Sequence, residues 1–363
     1  MKEFQPQILA YYLPQFHPFP ENDEWWGKGF TEWTNVGNAK PLFWGHYQPK
    51  VPADLGYYDL RIPEIRKQQV ELAKAAGVMG FCYWHYWFGN KRQLLNEIID
   101  EVIESGSPDF PFCFGWANES WKAKIWNNNG QGDRTLIEQT YGGELDYKEQ
   151  FEYVLKAFKD KRYIKVDNKP VFLIYKPQLL PADFTGYWQK WAKENGFDGI
   201  YFIARIMSGD NTSDLEKKGL YVYTYERQAE LFLRSSKIKQ FFIKLISKAR
   251  GSRVILDYKS CINSFTNEKE DIKENYIPSL LPCWDHSPRS KRNSFILHKC
   301  EPKYFYEHAL KVLRLVKKKE NKMIFLKSWN EWGEGNYMEP DLKYGKGYIE
   351  ALSKAIKTVK QEE

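Results

Sequence analysis

Eight short apolar, β-rich runs recur along the chain with helical patterns between them, and no other feature narrows the choice of fold so far. The runs are 8–12, 78–84, 112–116, 171–175, 200–204, 220–223, 279–284 and 323–329. Helix-like periodicity fills 62–76, 93–105, 147–158, 184–195 and 304–318, and a closing helix is expected over 348–360. Gly77 and Gly196 stand where two of these patterns should stop. Strands that alternate with helices make parallel sheet. Eight of them over 363 residues predict an α/β fold, a TIM-type (β/α)8 barrel forming one catalytic domain over 1–363. A doubly wound open sheet is the alternative. It would normally carry a glycine-rich phosphate loop after its first strand, and Tyr11-Tyr12-Leu13-Pro14-Gln15-Phe16 has no glycine.

Barrel enzymes place their sites at the carboxyl ends of the strands, so those ends should be polar and aromatic. The first run is followed by Tyr12 and His17, the second by Trp84, His85 and Tyr86, the third by Trp116, Asn118 and Glu119. Tyr175 ends the fourth, Arg205 the fifth and Glu226 the sixth. Trp284 and Asp285 end the seventh, and Asn330, Glu331, Trp332 and Glu334 the eighth. These are the expected substrate-facing residues. Polar residues follow most strands, so each one alone is weak and only their recurrence carries weight.

The last of these ends is the most informative. The apolar strand runs to Trp329 and breaks into Asn330-Glu331-Trp332-Gly333-Glu334-Gly335. Making or cleaving a glycosidic bond needs two carboxyl groups in different protonation states. Tryptophan faces give a sugar ring something flat to stack on. A bare pair of glutamates three residues apart would read as a solvated turn; the preceding strand, the glycines and the tryptophan spacing favour a catalytic loop. Close carboxylates raise one another's pKa, and Trp332 between them is expected to add apolar surroundings for Glu334.

Two segments break the rhythm. The first is a long aromatic loop over 18–60, which includes Glu24-Trp25-Trp26 and Thr31-Glu32-Trp33. Loops of that length inside a domain are usually functional or disordered, and one so aromatic is not disordered. It is expected to form a lid or rim that brings Trp26 and Glu32 to the site, or else an aromatic plug. The second, 231–253, carries Arg234, Lys237, Lys239, Lys244, Lys248, Arg250 and Arg253 around Phe241, Phe242, Leu245 and Ile246. It predicts a basic amphipathic helical insertion between strands six and seven. Such helices make weak peripheral contact with membranes. The plainer expectation is a helix packed on the barrel by its apolar stripe, with lysines outward.

Composition excludes several classes. The formal charge of +7 is modest, and neither zinc-ligand spacing nor an aromatic RNA-binding motif is present, so nucleic acid is not an expected partner. No His spacing such as H-x-x-x-H suggests a metal, and no cofactor is implied. The five cysteines are odd in number and none lies in C-x-x-C, which fits buried reduced thiols. Lys2 is followed by polar residues and Pro6 rather than an apolar leader core, so a cytoplasmic protein is expected, at most peripheral at the inner membrane. With 14 Trp and 24 Tyr, the chain has more rings with polar edges than a core needs, as saccharide sites do.

Several motifs, taken in order, resemble the WbsX-like family. They are Tyr12-Leu13-Pro14-Gln15-Phe16-His17-Pro18, Trp25-Trp26-Gly27-Lys28-Gly29-Phe30-Thr31-Glu32-Trp33-Thr34-Asn35-Val36, His46-Tyr47-Gln48-Pro49 and Asp54-Leu55-Gly56-Tyr57-Tyr58-Asp59. Phe81-Cys82-Tyr83-Trp84-His85-Tyr86-Trp87-Phe88, Trp116-Ala117-Asn118-Glu119 and Trp329-Asn330-Glu331-Trp332-Gly333-Glu334-Gly335 complete the match. That family is labelled as glycosyltransferases of bacterial O-antigen and capsule clusters. Its domain is similar to the barrel of family-99 glycoside hydrolases, retaining endo-acting α-mannosidases and mannanases whose last strand ends in Asn-Glu-Trp-x-Glu-Gly. The resemblance implies Glu331 as a base on the sugar 2-hydroxyl, which attacks its own anomeric carbon to give a 1,2-anhydro intermediate. It implies Glu334 as the acid/base that protonates the leaving oxygen and then deprotonates the incoming hydroxyl.

Three readings follow. The chain is a retaining glycosidase or transglycosidase acting on an α-linked bacterial surface polysaccharide, a nucleotide-sugar glycosyltransferase of O-antigen or capsule assembly, or a non-catalytic sugar-binding barrel. Against the second stands the lack of a D-x-D and of a dinucleotide fingerprint; against the third stands the intact glutamate pair. An oligo- or polysaccharide is the expected partner in all three.

Overall fold

The computed structural model describes residues 4–123 and 134–362. Nine parallel strands form one nearly closed barrel: β1 (Gln7–Tyr12), β2 (Gly80–Trp87), β3 (Phe112–Trp116), β4 (Lys169–Ile174), β5 (Tyr201–Ile206), β6 (Val222–Tyr225), β7 (Tyr276–Ile277), β8 (Ser279–Leu280) and β9 (Met323–Leu326). The spatial order is β7-β6-β5-β4-β3-β2-β1-β9-β8. In register, Leu9 faces Gly80 and Phe325 on its two sides, and His85 faces Trp116.

The expected seventh strand, 279–284, is therefore replaced by two halves. Tyr276–Ile277 pairs with β6, and Ser279–Leu280 with β9. Pro278 lies between them and has no N–H to give a ladder, while its carbonyl accepts from the Phe325 N–H at 3.1 Å. The sixth strand starts at Val222 rather than Leu220, which is wholly buried in the turn before it.

Parallel strands covered on both faces read as continuous apolar runs, and β1, β3, β4 and β9 are buried almost throughout. Helices supply the cover. Pro63–Ala76 begins with Pro at its first turn and ends at Gly77, whose φ of 86° only glycine adopts freely. Pro302–Lys317 and Gly347–Gln361 pack side by side on the same layer. Much of the aromatic excess is core: Trp188 is fully buried, with Phe172, Phe184 and Phe151 rings at 4.8, 4.9 and 5.4 Å. All five cysteines are buried and free.

The insertion between β6 and β7 forms a small core together with the segment between β8 and β9. Val254–Asp257 pairs in parallel with Phe295–His298, and around them gather Tyr258, Cys261, Phe265, Leu281, Cys283 and Cys300. The helix Lys237–Ala249 lies outside this core, and Ser247 is its one buried residue. Ile238, Phe241, Phe242, Leu245 and Ile246 are between 53% and 72% exposed. The expectation of an apolar stripe packed on the barrel is thus corrected. The inward side is held by Ser247, whose Oγ accepts from the Ile255 N–H at 2.8 Å, and by Ile243, which packs on the small core.

Candidate active site

The site is built where β9 ends. Beyond Leu326 the chain forms a short bridge, Asn330–Glu331, a helical turn, Trp332–Glu334, and a return, Asn336–Tyr337. Asn330 fixes this loop to the end of β1: its Oδ1 accepts from the Leu13 N–H at 2.8 Å and its Nδ2 donates to the Leu13 carbonyl at 3.0 Å. Glu339 anchors it from behind, accepting from Trp332 Nε1 at 2.6 Å, Tyr58 Oη at 2.8 Å and Gln69 Nε2 at 2.7 Å. Burial raises the Glu339 carboxyl to about 7 despite these donors.

Arg289, on the short helix Ser287–Ser290, joins three carboxylates. Its Nη2 donates to Glu331 at 2.6 Å, its Nη1 to Glu334 at 2.9 Å and its Nε to Glu32 at 3.0 Å. Gly333 makes this possible, because a Cβ there would fall on the Glu32 carboxylate and 2.9 Å from Arg289 Nε. Gly335, at φ 58°, lets Lys50 Nζ and Asp285 approach a site where a Cβ would lie 2.5 and 2.8 Å from them. The two glycines are close-approach positions, not merely flexible ones.

The carboxylates are electrically unequal. Burial, with the charges of Glu334 and Glu32, raises Glu331 to about 7, and its bond to Arg289 does not reverse this. Glu334 is also penalised by burial, but Arg289, His286 at 3.5 Å and Lys327 outweigh it and hold the group below the usual range. The pair is split, but the raised member is Glu331 and not Glu334, the reverse of the expectation that Trp332 would raise Glu334. Trp332 explains the difference: its ring stacks on Tyr337 at 3.7 Å and it is 1% exposed, so it serves the core and not Glu334.

Several residues expected at strand ends share this rim. Tyr175 feels the charges of Glu334, Glu119, Arg205 and Glu226. Arg205 lies over the Tyr175 ring at 4.2 Å and meets Glu226 at 2.7 Å. Lys327 also reaches Glu226, at 2.6 Å, and lies 4.6 Å over the half-buried Trp284 ring. Glu226 is held far below the normal carboxylate range by these two cations, which overcome its burial. Trp84 packs edge-on to Tyr175 at 5.3 Å, and Glu119 meets Lys176 at 3.5 Å. Tyr86 is buried near Glu331, Arg289 and Glu32, and its ring meets Trp121 at 5.1 Å.

The 18–60 loop closes one side. Its helices, Pro20–Trp26 and Glu32–Gly37, put Glu32 on Arg289, Trp33 against Trp332 at 5.5 Å and Trp25 against Trp121 at 6.0 Å. Thr31 caps the second helix: its Oγ1 accepts from the Trp33 N–H at 3.2 Å, and its own N–H donates to Thr34 Oγ1 at 3.4 Å. Trp26 is 48% exposed beside Phe30.

Other expected site residues are placed elsewhere. Tyr12, His85 and Trp116 point out of the barrel toward the helices, because side chains alternate along a strand. Tyr12 Oη donates to Gln69 at 2.7 Å, His85 stacks on Tyr153 at 5.5 Å, and Trp116 stacks on Phe184 at 5.3 Å. Burial drives the His85 pKa down to about 3. The inward residue of the first pair is Tyr11, stacked between Trp84 at 4.9 Å and Phe325 at 5.0 Å. His17 is buried near Glu97 and Phe19. Asn118 is a backbone tie, with Oδ1 accepting from Lys176 N–H at 2.7 Å and Nδ2 donating to the Lys176 carbonyl at 3.0 Å. Asp285 is a latch: His46 at 2.8 Å, Gln48 at 2.6 Å and the Ser287 N–H at 3.0 Å hold it. Burial would raise its pKa, but these bonds and Lys50 bring it to about 2. A cavity of about 70 Å³ adjoins this latch rather than the two glutamates, lined by His46, Lys50, Cys283, Asp285, Cys300 and Tyr337. Among the described residues, no group of three or more His, Cys, Asp or Glu is placed to hold a metal.

The family described as Glycosyltransferase WbsX matches residues 8–352. The chain belongs to that family. The protein WxcX of Xanthomonas campestris pv. campestris, in strains B100 and ATCC 33913, is 32% identical over 364 residues, which is 96% of this chain. The chain spans 49% of the length of WxcX, about half. Among solved structures, the GH99 endo-alpha-mannosidase from Bacteroides thetaiotaomicron, in complex with BIS-TRIS-Propane, aligns with TM-score 0.58 at 18% identity over 97% of each chain. A glycoside hydrolase-like protein aligns with TM-score 0.60 at 14% identity, over 98% of this chain and 96% of its own. Identities this low speak for the fold alone: this WbsX-family chain shares the barrel of these structures.

Proposed function

We propose that this chain cleaves or transfers an α-linked glycosyl unit of a bacterial surface polysaccharide, with retention, using Glu331 and Glu334. The observation that carries the proposal is the Glu331 carboxyl, raised to about 7 within reach of Glu334. A base whose pKa lies near the working pH combines a large ionised fraction with useful basicity. Glu331 takes the proton of the 2-hydroxyl, the 2-oxygen forms its bond to the anomeric carbon, and the bond to the leaving oxygen breaks. Glu334 supplies that oxygen's proton. An acceptor hydroxyl or water then opens the 1,2-anhydro ring, giving its proton to Glu334 while Glu331 returns its proton to the 2-oxygen. Two inversions at one carbon leave retention. In the first step Glu334 must be protonated, so a substrate entering between the carboxylates has to draw Arg289 off it.

Arg289 favours a second reading, transfer from a nucleotide sugar. A diphosphate departs without a proton, so an ionised Glu334 is no obstacle, and a planar guanidinium suits its oxygens. Defined α-oligosaccharides and a panel of nucleotide sugars, each followed for cleavage or transfer, distinguish the two. Arg289→Gln should depress use of a diphosphate donor far more than use of an aryl glycoside whose leaving group needs no protonation. Equal losses on both would exclude the second reading. No turnover of any saccharide would exclude both.

A further inference from the structure

The helix Lys237–Ala249 turns its apolar side chains away from the protein, and we infer that this face docks on an anionic lipid surface. Ile238, Phe241, Phe242, Leu245 and Ile246 recur at spacings of three and four, so they lie along one stripe. All five are more than half exposed. The helix is not loosely attached, since the Ile255 N–H donates to Ser247 on its opposite side and Ile243 packs on the small core. Its orientation is therefore set by the fold.

Charge identifies the occupant. From 231 to 256 the chain has no Asp or Glu, while Lys237, Lys239, Lys244, Lys248, Arg250 and Arg253 lie in the helix or just after it; Arg234 is already paired with Glu230. A second copy of the chain would bring these cations against themselves in a two-fold interface. A surface of anionic headgroups over hydrocarbon complements both parts of the face. A separate segment adds to it. Arg250 lies 4.3 Å over the Phe43 ring, and the next residue, Trp44, is 98% exposed. Indole rings settle at the boundary between headgroups and acyl chains.

The docking face and the candidate site are joined by a short path. Phe43 stacks on His46 at 4.6 Å, His46 holds Asp285 at 2.8 Å, and the Asp285 N–H donates to the Glu334 carbonyl at 2.7 Å. Docking would hold the mouth of the barrel at a fixed offset from the lipid. The inference does not depend on which sugar chemistry the site performs.

Co-sedimentation of the full chain with phosphatidylcholine vesicles, with and without phosphatidylglycerol, tests it. Binding should require phosphatidylglycerol and weaken as salt rises, since the screening length is about 10 Å at 0.1 M. Removing a cation such as Lys239 or Lys244 should weaken binding about fivefold each. Phe241→Ser with Phe242→Ser should weaken it roughly tenfold or more, because two apolar side chains lose their burial. Circular dichroism and melting should not change, as these residues are exposed. A folded chain that ignores phosphatidylglycerol vesicles overturns the inference, and so does binding untouched by the phenylalanine changes. Sedimentation velocity covers the remaining outcome: a dimer that those changes dissolve without lipid would assign the face to a second copy.

Discussion

The 330–335 loop and the helix Lys237–Ala249 are made from the same materials, aromatic rings beside charge, and the fold uses them in opposite ways. In the loop every carboxylate meets a cation, both glycines are crowded by side chains, and Trp332 is buried against Tyr337. In the helix the rings face out, and only Ile243 and Ser247 among its central residues reach inward. The contrast teaches that amphipathic character names two faces without saying which one the protein keeps. What decides is the surface waiting on the other side: Arg289 and Glu32 for the loop, and for the helix a small core that takes in Ile243 beside the Ser247 hydrogen bond.

The contrast breaks first at the glutamates. Glu331→Gln and Glu334→Gln should each lower turnover by about 10²–10⁴-fold with folding intact, the range of a lost acid–base group. A substrate whose leaving group departs without protonation should rescue Glu334→Gln and not Glu331→Gln; equal responses would refute the assigned roles. Next comes Gly333→Ala, whose methyl displaces Glu32 or Arg289 and should cost on the order of a hundredfold in activity through misplacement. If the variant is as active as the parent, the Arg289 junction has no bearing on catalysis.

pH sharpens the comparison. If Glu331 acts ionised, kcat/KM should rise with pH through about 7, whereas an acid limb near 4.5 would show that burial does not control the group. Stability runs the other way. Glu339 is raised in the folded chain to about 7 from 4.5, so its contribution is complete below 4.5 and is lost as pH rises to about 7. Glu339→Gln should therefore flatten the fall in melting temperature across that window. The smallest effect belongs to the helix: Phe242→Ser should change stability in solution by only about 0.5 kcal/mol, as exposed substitutions do. A larger loss would mean that the stripe is covered in the free chain.

Much of the barrel was legible in the sequence. Strands buried on both faces announce themselves as unbroken apolar runs, and the last strand's glutamate pair stood out against its glycines and tryptophans. The same unbroken runs conceal phase. Nothing in Tyr11-Tyr12 or Trp84-His85 tells which member points inward, and the outward choices Tyr12, His85 and Trp116 came from that ambiguity. Arg289 sits in Ser287-Pro288-Arg289-Ser290, a turn with no recognisable motif. Its trace in the sequence was indirect: Gly333 between the glutamates marked a place where something had to come close. The helix misled because an apolar stripe is ordinarily assumed to face inward.

Pro278 has a consequence for how the closed ring opens. The ladder between β6 and β7 rests on two paired positions, as does that between β8 and β9, while β2 and β3 share five. The cylinder thus has a seam, and backbone amides there should exchange with solvent before those of the opposite wall. The excursion 226–275 leaves the ring at this seam and rejoins it there, with the Tyr223 N–H bonded to the Asn275 carbonyl at 2.8 Å. A breathing motion at the seam would swing the excursion while leaving β1 to β5 zipped. One missing donor, at Pro278, thereby marks the wall where the fold accommodates extra chain at little cost in ladder bonds.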